Sequence, residues 1–149
     1  NEFANIGGVR AGLWRRRGSP AASGSETAVE HGDSDLGIVA ISSNDPQAYS
    51  EDAPESLAEQ AKELRFEFPY CFDETQEIAR AYHAACTPDF FLFDSERKLL
   101  YRGQLDDSRP GNNEPTDGHT LRTAIEAVLS GQPVDPNQKP SMGCSIKWK

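Results

Sequence analysis

The feature that most constrains this chain is a proline at the start of an apolar run. The segment Cys86-Thr87-Pro88-Asp89 leads directly into four apolar residues, 90–93. A short apolar run bounded by polar residues is typical of a strand that is buried on both faces of a sheet. Proline has no backbone N–H, so we expect Pro88 at the mouth of that strand rather than inside it. We also expect its peptide bond to be cis, because cis bonds in folded proteins occur mainly before proline.

A second apolar run follows the first after a short polar stretch. Residues 94–97 read Asp-Ser-Glu-Arg, and residues 98–103 read Lys-Leu-Leu-Tyr-Arg-Gly. Two apolar runs joined by a few polar residues predict a β-hairpin. Residues 37–41, which are rich in β-branched side chains, predict a buried parallel strand. Residues 66–72 predict a short edge strand, because their pattern alternates and includes a proline.

Three segments predict helices. Residues 54–64 carry an apolar stripe and begin with a proline, which suits the first helical position. Asp73 is expected to cap a second helix, with Gln76 at the reciprocal position of a capping box. Residues 118–130 carry a third stripe and are followed by Gly131, a typical helix end. Strands and helices in this order predict an α/β fold with a mixed central sheet and helices on both faces.

The order of these motifs resembles the thioredoxin-like branch of the AhpC/TSA family (redoxins; alkyl hydroperoxide reductase and thiol-specific antioxidant). The motifs that carry the resemblance lie at residues 79–93, 101–111 and 139–149. The first contains Thr87-Pro88 and the last contains Met-Gly-Cys-Ser, with Cys144. The resemblance implies a thioredoxin-like fold whose opening strand and first helix are incomplete here. We therefore predict a thioredoxin-like domain over residues 37–131 and an extended C-terminal tail over residues 132–149.

The resemblance fails before residue 37. Residues 1–6 match the end of the family's first helix, but residues 7–35 are rich in Gly, Arg, Ala and Ser without a helical or strand period. Such composition is typical of a flexible segment. We predict that residues 1–36 form an anomalous, flexible segment, with a remnant of the first helix at residues 1–6. A missing central strand would leave two sheet edges unpaired, so we expect marginal stability or self-association.

The chain has three cysteines, of which two are candidate redox thiols. Thiol redox chemistry requires a thiolate and usually a second sulfur that resolves the oxidised first one. By resemblance, the attacking cysteine would lie in a Cys-Pro segment, which this sequence lacks, as it lacks a CxxC motif. Cys86 and Cys144 are therefore the candidate catalytic residues, and Thr87 and Pro88 would shape the site and contact the substrate backbone. Cys71 is expected to pack in the core.

Each of these residues also has a structural interpretation. Cys86 would then support the loop, Cys144 would be an exposed residue without a role, and Thr87-Pro88 would be a turn. A charged loop at residues 106–109 is either a recognition surface or a solvated loop. Glu51 and Asp52 are expected on the solvated surface.

Composition excludes several classes of function. A net charge of −9 disfavours nucleic acid as a partner, because phosphates require a basic surface. No apolar run is long enough to cross a membrane. No cluster of cysteine and histidine has the spacing of a zinc site, and no cofactor motif is present. An odd number of cysteines favours free thiols in a reducing compartment such as the cytoplasm.

Three hypotheses remain open. The chain is a thiol-dependent oxidoreductase that reduces peroxides or protein disulfides, with electrons from a dithiol reductant such as a thioredoxin. Alternatively, it is a redox-inactive thioredoxin-like module that binds partners through the cis-proline face. It could also be a truncated fragment of the enzyme, because the expected catalytic cysteine is absent. Whether this chain is itself an enzyme stays undecided at this level.

Overall fold

The structure is a computed structural model, and it describes residues 9–15 and 36–149. Two sheets and three helices make up this part of the chain. The strands are β1 (Val9–Arg15), β2 (Leu36–Ser42), β3 (Tyr70–Phe72), β4 (Cys86–Thr87), β5 (Phe90–Phe93), β6 (Leu99–Gly103) and β7 (Cys144–Ser145). The helices are α1 (Pro54–Glu63), α2 (Glu77–Ala81) and α3 (His119–Leu129), with a 3-10 turn at Ser50–Asp52.

The main sheet is mixed and has five strands in the order β3-β2-β1-β5-β6. Strands β2 and β3 run parallel. Strand β1 runs antiparallel to β2 and parallel to β5. Strands β5 and β6 form the hairpin that the sequence predicts, with a register irregularity between Leu92 and Phe93. Strands β4 and β7 form a separate two-stranded antiparallel ribbon.

Within residues 7–35, where the sequence shows no strand period, Val9–Arg15 is the middle strand of the main sheet. Its backbone pairs with β2 from Val9 opposite Ser42 to Arg15 opposite Leu36, and with β5 on the other side. Without it, both neighbours would leave rows of N–H and C=O groups unpaired in the centre of the sheet. The sequence of this segment has no clear strand period, so periodicity did not reveal it. The two edges that we expected to be open are therefore paired.

The remainder of that predicted flexible segment, residues 1–8 and 16–35, lies outside the described residues. The same holds for the helix end predicted at residues 1–6. The proposed division into segments 1–36, 37–131 and 132–149 stays a prediction.

One face of the sheet packs against α3. Side chains alternate across a strand, so Phe90 and Leu92 share this face. Both are buried in one cluster with the apolar stripe predicted for the last helix. The buried residues of that stripe are Leu121, Ala124, Ile125 and Val128. This cluster is the main core and it fixes the position of β5, which begins two residues after Pro88.

The opposite face of β5 is covered by the chain that follows α2 and by the C-terminal tail. Phe91 is buried with Ala84 and Ile146. The ring of Tyr82 packs edge-on against Phe91 and Phe93, at centroid distances of 5.2 and 5.9 Å. Ile146 is only 4% exposed. The tail therefore contributes to the core of the domain.

The predicted edge strand is shorter than expected, and Cys71 is not a core residue. The strand covers only Tyr70–Phe72, directly after Pro69. Its burial alternates, so Tyr70 and Phe72 are half-buried while Cys71 between them is exposed. The prediction that Cys71 packs in the core is wrong, because the period of two in an edge strand turns it outward.

The predicted capping box is also corrected. Asp73 is not the N-cap residue, although its Oδ2 accepts the N–H of Ala79 in the first turn of α2 at 2.9 Å. Helix α2 begins at Glu77, and Gln76 stands before it in a left-handed backbone conformation, with φ at 61°. The side chain of Gln76 does not return to Asp73. It bonds to β2 and to the tail instead, as described below.

Candidate redox site

The Thr87–Pro88 loop is held by a buried carboxylate. The Thr87–Pro88 peptide bond is cis. Asp89, which is 2% exposed, accepts the N–H of Ala85 at 3.2 Å through its Oδ2. The same oxygen accepts a bond from Arg102 Nη2 at 3.3 Å. Because Arg102 lies on β6 and Asp89 precedes β5, this ion pair fixes the loop to the predicted hairpin.

Thr87 and Cys144 face each other across the β4–β7 ribbon. The register pairs Thr87 with Cys144 and Cys86 with Ser145. The hydroxyl of Thr87 donates to the carbonyl oxygen of Cys144 at 3.3 Å. The tail residue Cys144, some 57 positions further along the chain, is thus brought directly to the residue before Pro88. Sequence analysis proposed these residues for one site, and the structure places them together.

The structure does not bring Cys86 to Cys144. Neighbouring residues of a strand point to opposite faces, so Cys86 lies on the face of the ribbon away from Thr87 and Cys144. Cys86 is buried at 7% exposure, and its thiol donates to the carbonyl oxygen of Pro88 at 3.6 Å. Cys144 is exposed, and all three cysteines are thiols. A disulfide between Cys86 and Cys144 would require the ribbon to rearrange, because their Cβ vectors point apart.

Thr87, Pro88 and Cys144 line a cleft of about 800 Å³. The loop that follows β6 also lines the cleft, as do Asn44 after β2 and residues of the 3-10 turn. Residues of these walls include Gln104, Asp106, Arg109, Asn44 and Asp52. The exposed Cys144 is the thiol that meets this cleft, whereas Cys86 does not line it.

A buried acid lies in the cleft wall. Asp52 is 7% exposed, and its Oδ2 accepts a bond from Asn44 Nδ2 at 3.1 Å. Burial raises the pKa of Asp52, and the bond from Asn44 and the charge of Lys147 offset this only in part. The expectation that Asp52 is solvated is therefore wrong. Nothing in the local sequence separates it from the exposed Glu51, because its burial arises from distant packing.

The charged loop at residues 106–109 is mainly structural. Asp106 is 3% exposed, and its two carboxylate oxygens accept the N–H groups of Ser108 at 3.0 Å and of Gly118 at 2.9 Å. Arg109 donates to the carbonyl oxygens of Asp106 and Ser108 at 2.9 and 2.6 Å. Both side chains thus fold the loop, which explains their placement better than either a recognition surface or a solvated loop.

An exposed ionic cluster lies beside this loop, outside the residues that line the cleft. Asp107 pairs with Lys139 Nζ at 2.6 Å, and this bond is the main reason that the pKa of Asp107 falls to about 2. His119 lies between two carboxylates, at 2.8 Å from Asp117 and 3.4 Å from Asp107. The bond to Asp117 is the largest cause that raises the pKa of His119.

The tail that carries Cys144 is clamped by Gln76. Gln76 is 1% exposed, and its Nε2 donates to the carbonyl oxygens of Ser43 at 2.7 Å and Lys147 at 2.8 Å. Its Oε1 accepts the N–H of Lys149 at 2.9 Å. Asn44 adds a further bond, since its Oδ1 accepts the N–H of Lys147 at 3.0 Å. Sequence analysis missed this clamp because its partners are separated by 71 and 73 positions.

Two glycines allow the tail to approach the domain closely. A Cβ on Gly143 would lie 2.1 Å from the carbonyl oxygen of Thr87, and one on Gly103 would lie 2.3 Å from that of Lys139. Real Cβ atoms do not come so near to a backbone oxygen. Glycine is therefore required at both points where the tail crosses the cis-proline loop and the hairpin.

Together, the mixed sheet, the cis-proline loop and the adjacent thiol define a thioredoxin-like protein. The sequence model of the AhpC/TSA family matches residues 24–102. The chain belongs to the AhpC/TSA family, and the predictions of family and fold class are confirmed. Family membership favours thiol-dependent redox chemistry of the redoxin type.

Two solved structures are similar over nearly the whole chain. An uncharacterized conserved protein from Geobacillus kaustophilus has a TM-score of 0.78 and 45% identity, covering 95% of this chain and 78% of that one. A hypothetical protein from Sinorhizobium meliloti 1021 has a TM-score of 0.78 and 40% identity, covering 99% and 83%. Among curated proteins, none matches the chain significantly.

The described residues form neither a membrane-spanning helix nor a metal-binding cluster. No helix among them has both the length and the apolar character that crossing a membrane requires. Likewise, within residues 9–15 and 36–149, no group of His, Cys, Asp and Glu side chains is arranged to hold a metal ion.

Proposed function

We propose that this protein is a thiol-dependent oxidoreductase of the redoxin type, which reduces peroxides or protein disulfides in the cleft beside Pro88. The observation that carries the proposal is the convergence of Thr87, Pro88 and the exposed thiol of Cys144 on one cleft in a member of the AhpC/TSA family. In this proposal Cys144 is the first reacting thiol, and Thr87 and Pro88 form the wall against which a substrate lies.

The proposed cycle needs one thiol and an external dithiol. The Cys144 thiolate attacks one peroxide oxygen, the O–O bond breaks, and the sulfur becomes a sulfenic acid while the peroxide leaves as an alcohol or water. One thiol of a reductant such as a thioredoxin then attacks the sulfenic sulfur and releases water. Its second thiol attacks the resulting mixed disulfide and restores Cys144. A protein disulfide would enter the same cycle by direct thiol–disulfide exchange.

Cys86 is the second proposed redox residue. Its burial beside Pro88 means that it would react only when β4 and β7 separate. In the paired state Cys86 supports the loop, and it would resolve an oxidised Cys144 only after such a movement. The proposal therefore predicts different behaviour for the two thiols.

Thiol titration tests this function. Sub-stoichiometric hydrogen peroxide should remove free thiol, and a dithiol reductant should restore it. Cys144→Ser should abolish the fast, reversible part of this loss, and Cys71→Ser should not. Cys86→Ser should leave the first oxidation intact and change only the recovery. If the fast loss persists in both Cys86→Ser and Cys144→Ser, the assignment of the redox thiols is wrong.

A redox-inactive module that binds partners through the cis-proline face is the second candidate. The observation that favours it is the position of Cys86 and Cys144 on opposite faces of the β4–β7 ribbon, so that no dithiol pair is formed. This alternative predicts that no cysteine reacts with peroxide faster than a free thiol, and that partner binding is unchanged in Cys144→Ser.

A further inference from the structure

The proposed cycle leaves the source of one proton open. When the Cys144 thiolate attacks a hydroperoxide, the O–O bond breaks and the leaving oxygen departs with a negative charge. An alkoxide or hydroxide is a poor leaving group, so a positioned acid that protonates it accelerates this step. The cleft that Cys144 lines also contains a buried carboxyl group, that of Asp52.

Asp52 is buried without an ion pair. It is 7% exposed, and among the described residues only Asn44 hydrogen-bonds to its side chain, through Oδ2 at 3.1 Å. The Nζ of Lys147, whose charge reaches Asp52, lies over the ring of Tyr49 at 5.4 Å from its centroid instead of pairing with the carboxyl group. A buried carboxyl group without a paired cation favours the neutral acid, which has a proton to donate. Burial accordingly raises the pKa of Asp52.

The second oxygen of Asp52 is open to the cleft. In the described part of the chain, Oδ1 has no hydrogen-bond partner. It is not sealed in the interior either, because Ser42 Oγ is the one described side-chain oxygen or nitrogen that is both fully buried and unpartnered. The small exposed part of Asp52 therefore includes Oδ1, and Asp52 lines the cleft. One oxygen is bonded to the protein and the other is available to a ligand in the cleft.

Asn44 holds the acid and the thiol-bearing tail in one arrangement. Its Nδ2 donates to Asp52, and its Oδ1 accepts the N–H of Lys147, which follows Cys144 closely in the tail, at 3.0 Å. Asn44 is itself only 7% exposed, so this double bond-making amide is fixed in place. The acid and the thiol therefore line the same cleft from two segments that are joined through one buried side chain.

We propose that Asp52 is the proton donor to the leaving oxygen and makes this cleft selective for hydroperoxides. As the Cys144 sulfur bonds to one oxygen and the O–O bond breaks, the carboxyl proton of Asp52 passes to the other oxygen, directly or through one water. The sulfur is oxidised to a sulfenic acid, and the peroxide is reduced and leaves as an alcohol or water. The Asp52 carboxylate then regains a proton from solvent. A disulfide releases a thiolate, which needs no such proton, so the acid favours peroxides.

This inference rests on the proposed function, since Cys144 must be the reacting thiol, and oxidants with different leaving groups test it. Hydrogen peroxide needs a proton for its leaving oxygen. Peracetic acid gives the same sulfenic acid but releases acetate, which is stable as an anion. The disulfide reagent DTNB likewise releases an aryl thiolate. All proteins carry Cys71→Ser, and mass spectrometry follows the aryl adduct or the dimedone-trapped sulfenic acid at Cys144.

Asp52→Asn is the test variant and Glu55→Gln is its matched control. Asparagine keeps the shape and an acceptor for Asn44 but has no acidic proton. Glu55 is exposed in the first turn of α1 and is not among the residues that line the cleft, so its variant makes the same change of charge nearby. A positioned general acid contributes about 10²–10⁴-fold, so we expect Asp52→Asn to slow hydrogen peroxide about 10²-fold and the other two reagents by less than about threefold. Glu55→Gln should match the parent with all three.

Two results would overturn the proposal. Equal slowing with all three reagents would mean that Asp52 supports Cys144 or the fold, and an unchanged rate with hydrogen peroxide would mean that the leaving oxygen takes its proton elsewhere. If Asp52→Asn does not fold, rates of the parent protein in heavy water replace it. Heavy water should then slow hydrogen peroxide more than peracetic acid, and equal slowing would refute the proton transfer.

Failure of the inference and failure of the proposed function give different results. If Cys144 reacts with hydrogen peroxide no faster than a free thiol, the proposed function is refuted and the role of Asp52 with it. If Cys144 reacts fast and Asp52→Asn leaves that rate unchanged, only the role of Asp52 is refuted.

Discussion

Replacing Gln76 with alanine tests how the domain holds its C-terminal tail. The substitution removes three hydrogen bonds of 2.7, 2.8 and 2.9 Å from a site that is 1% exposed. A typical hydrogen bond contributes about 0.5–1.5 kcal/mol net, so the loss should be roughly 2–4 kcal/mol. The carbonyl oxygen of Lys147 keeps its bond from the N–H of Asp45 at 2.9 Å in the variant. The loss of stability should therefore lie in the lower half of this range. For a domain stabilised by roughly 5–15 kcal/mol, this is a large fraction.

Urea unfolding with a matched control measures this effect. Gln132 is exposed, so Gln132→Ala should change the free energy of unfolding by less than about 0.5 kcal/mol. Hydrogen exchange should show faster exchange at the amide of Lys149 in Gln76→Ala and unchanged exchange in the hairpin β5–β6. Equal stability of Gln76→Ala and Gln132→Ala would refute the clamp.

The isosteric variant Gln76→Glu separates hydrogen bonding from packing. It keeps the shape and the acceptor for Lys149, but it places a carboxylate oxygen against the carbonyl oxygens of Ser43 and Lys147. Burial and these oxygens favour the protonated acid, so its pKa should rise. The stability of this variant relative to wild type should therefore increase as pH falls below neutral. A pH-independent difference would show that the charge is not buried.

Three further substitutions test the electrostatics of the site. Asp52→Asn should be at least as stable as wild type at neutral pH. Because the pKa of Asp52 is raised in the folded state, wild type gains stability as pH falls through that pKa. Urea unfolding at several pH values should show that the variant lacks this gain. The pKa of His119 is raised in the folded state, so its protonated form stabilises the fold at low pH, and this stability is lost as pH rises through the folded pKa. Asp107→Asn should move the pKa of His119 toward 6.5, which an NMR titration measures. Asp89→Asn should cost about 1.5–3 kcal/mol by thermal unfolding, because it removes the charged partner of Arg102 in a buried site.

The local parts of the fold were predictable because their signals are local. The hairpin β5–β6 follows from two apolar runs and a polar turn, and α3 follows from a stripe whose members Leu121, Ala124 and Ile125 are all buried. The placement of Pro88 before β5 follows from its missing N–H. Cys144 was a candidate only because the tail resembles that of a family, and the structure adds its contact with Thr87.

The remaining parts depend on contacts between distant residues. Strand β1 pairs with β2 and β5 over long sequence separations, and its own sequence has no clear strand period. Asp52 and Gln76 have ordinary polar neighbours in sequence, and their burial follows from packing against β2 and the tail. Cys71 was assigned to the core from its aromatic neighbours, although the alternation of a short edge strand turns it outward. Polar residues with long-range partners are therefore what sequence analysis missed.

The most direct test of the central claim compares Cys144 with Cys71 in the same molecule. Both thiols are exposed, but only Cys144 lies in the cleft beside Thr87 and Pro88. After a brief exposure to sub-stoichiometric hydrogen peroxide, mass spectrometry gives the oxidised fraction of each cysteine. The account predicts that Cys144 is oxidised at least about tenfold faster than Cys71 and is restored by a dithiol. Equal oxidation of the two thiols would contradict a redox role for this cleft.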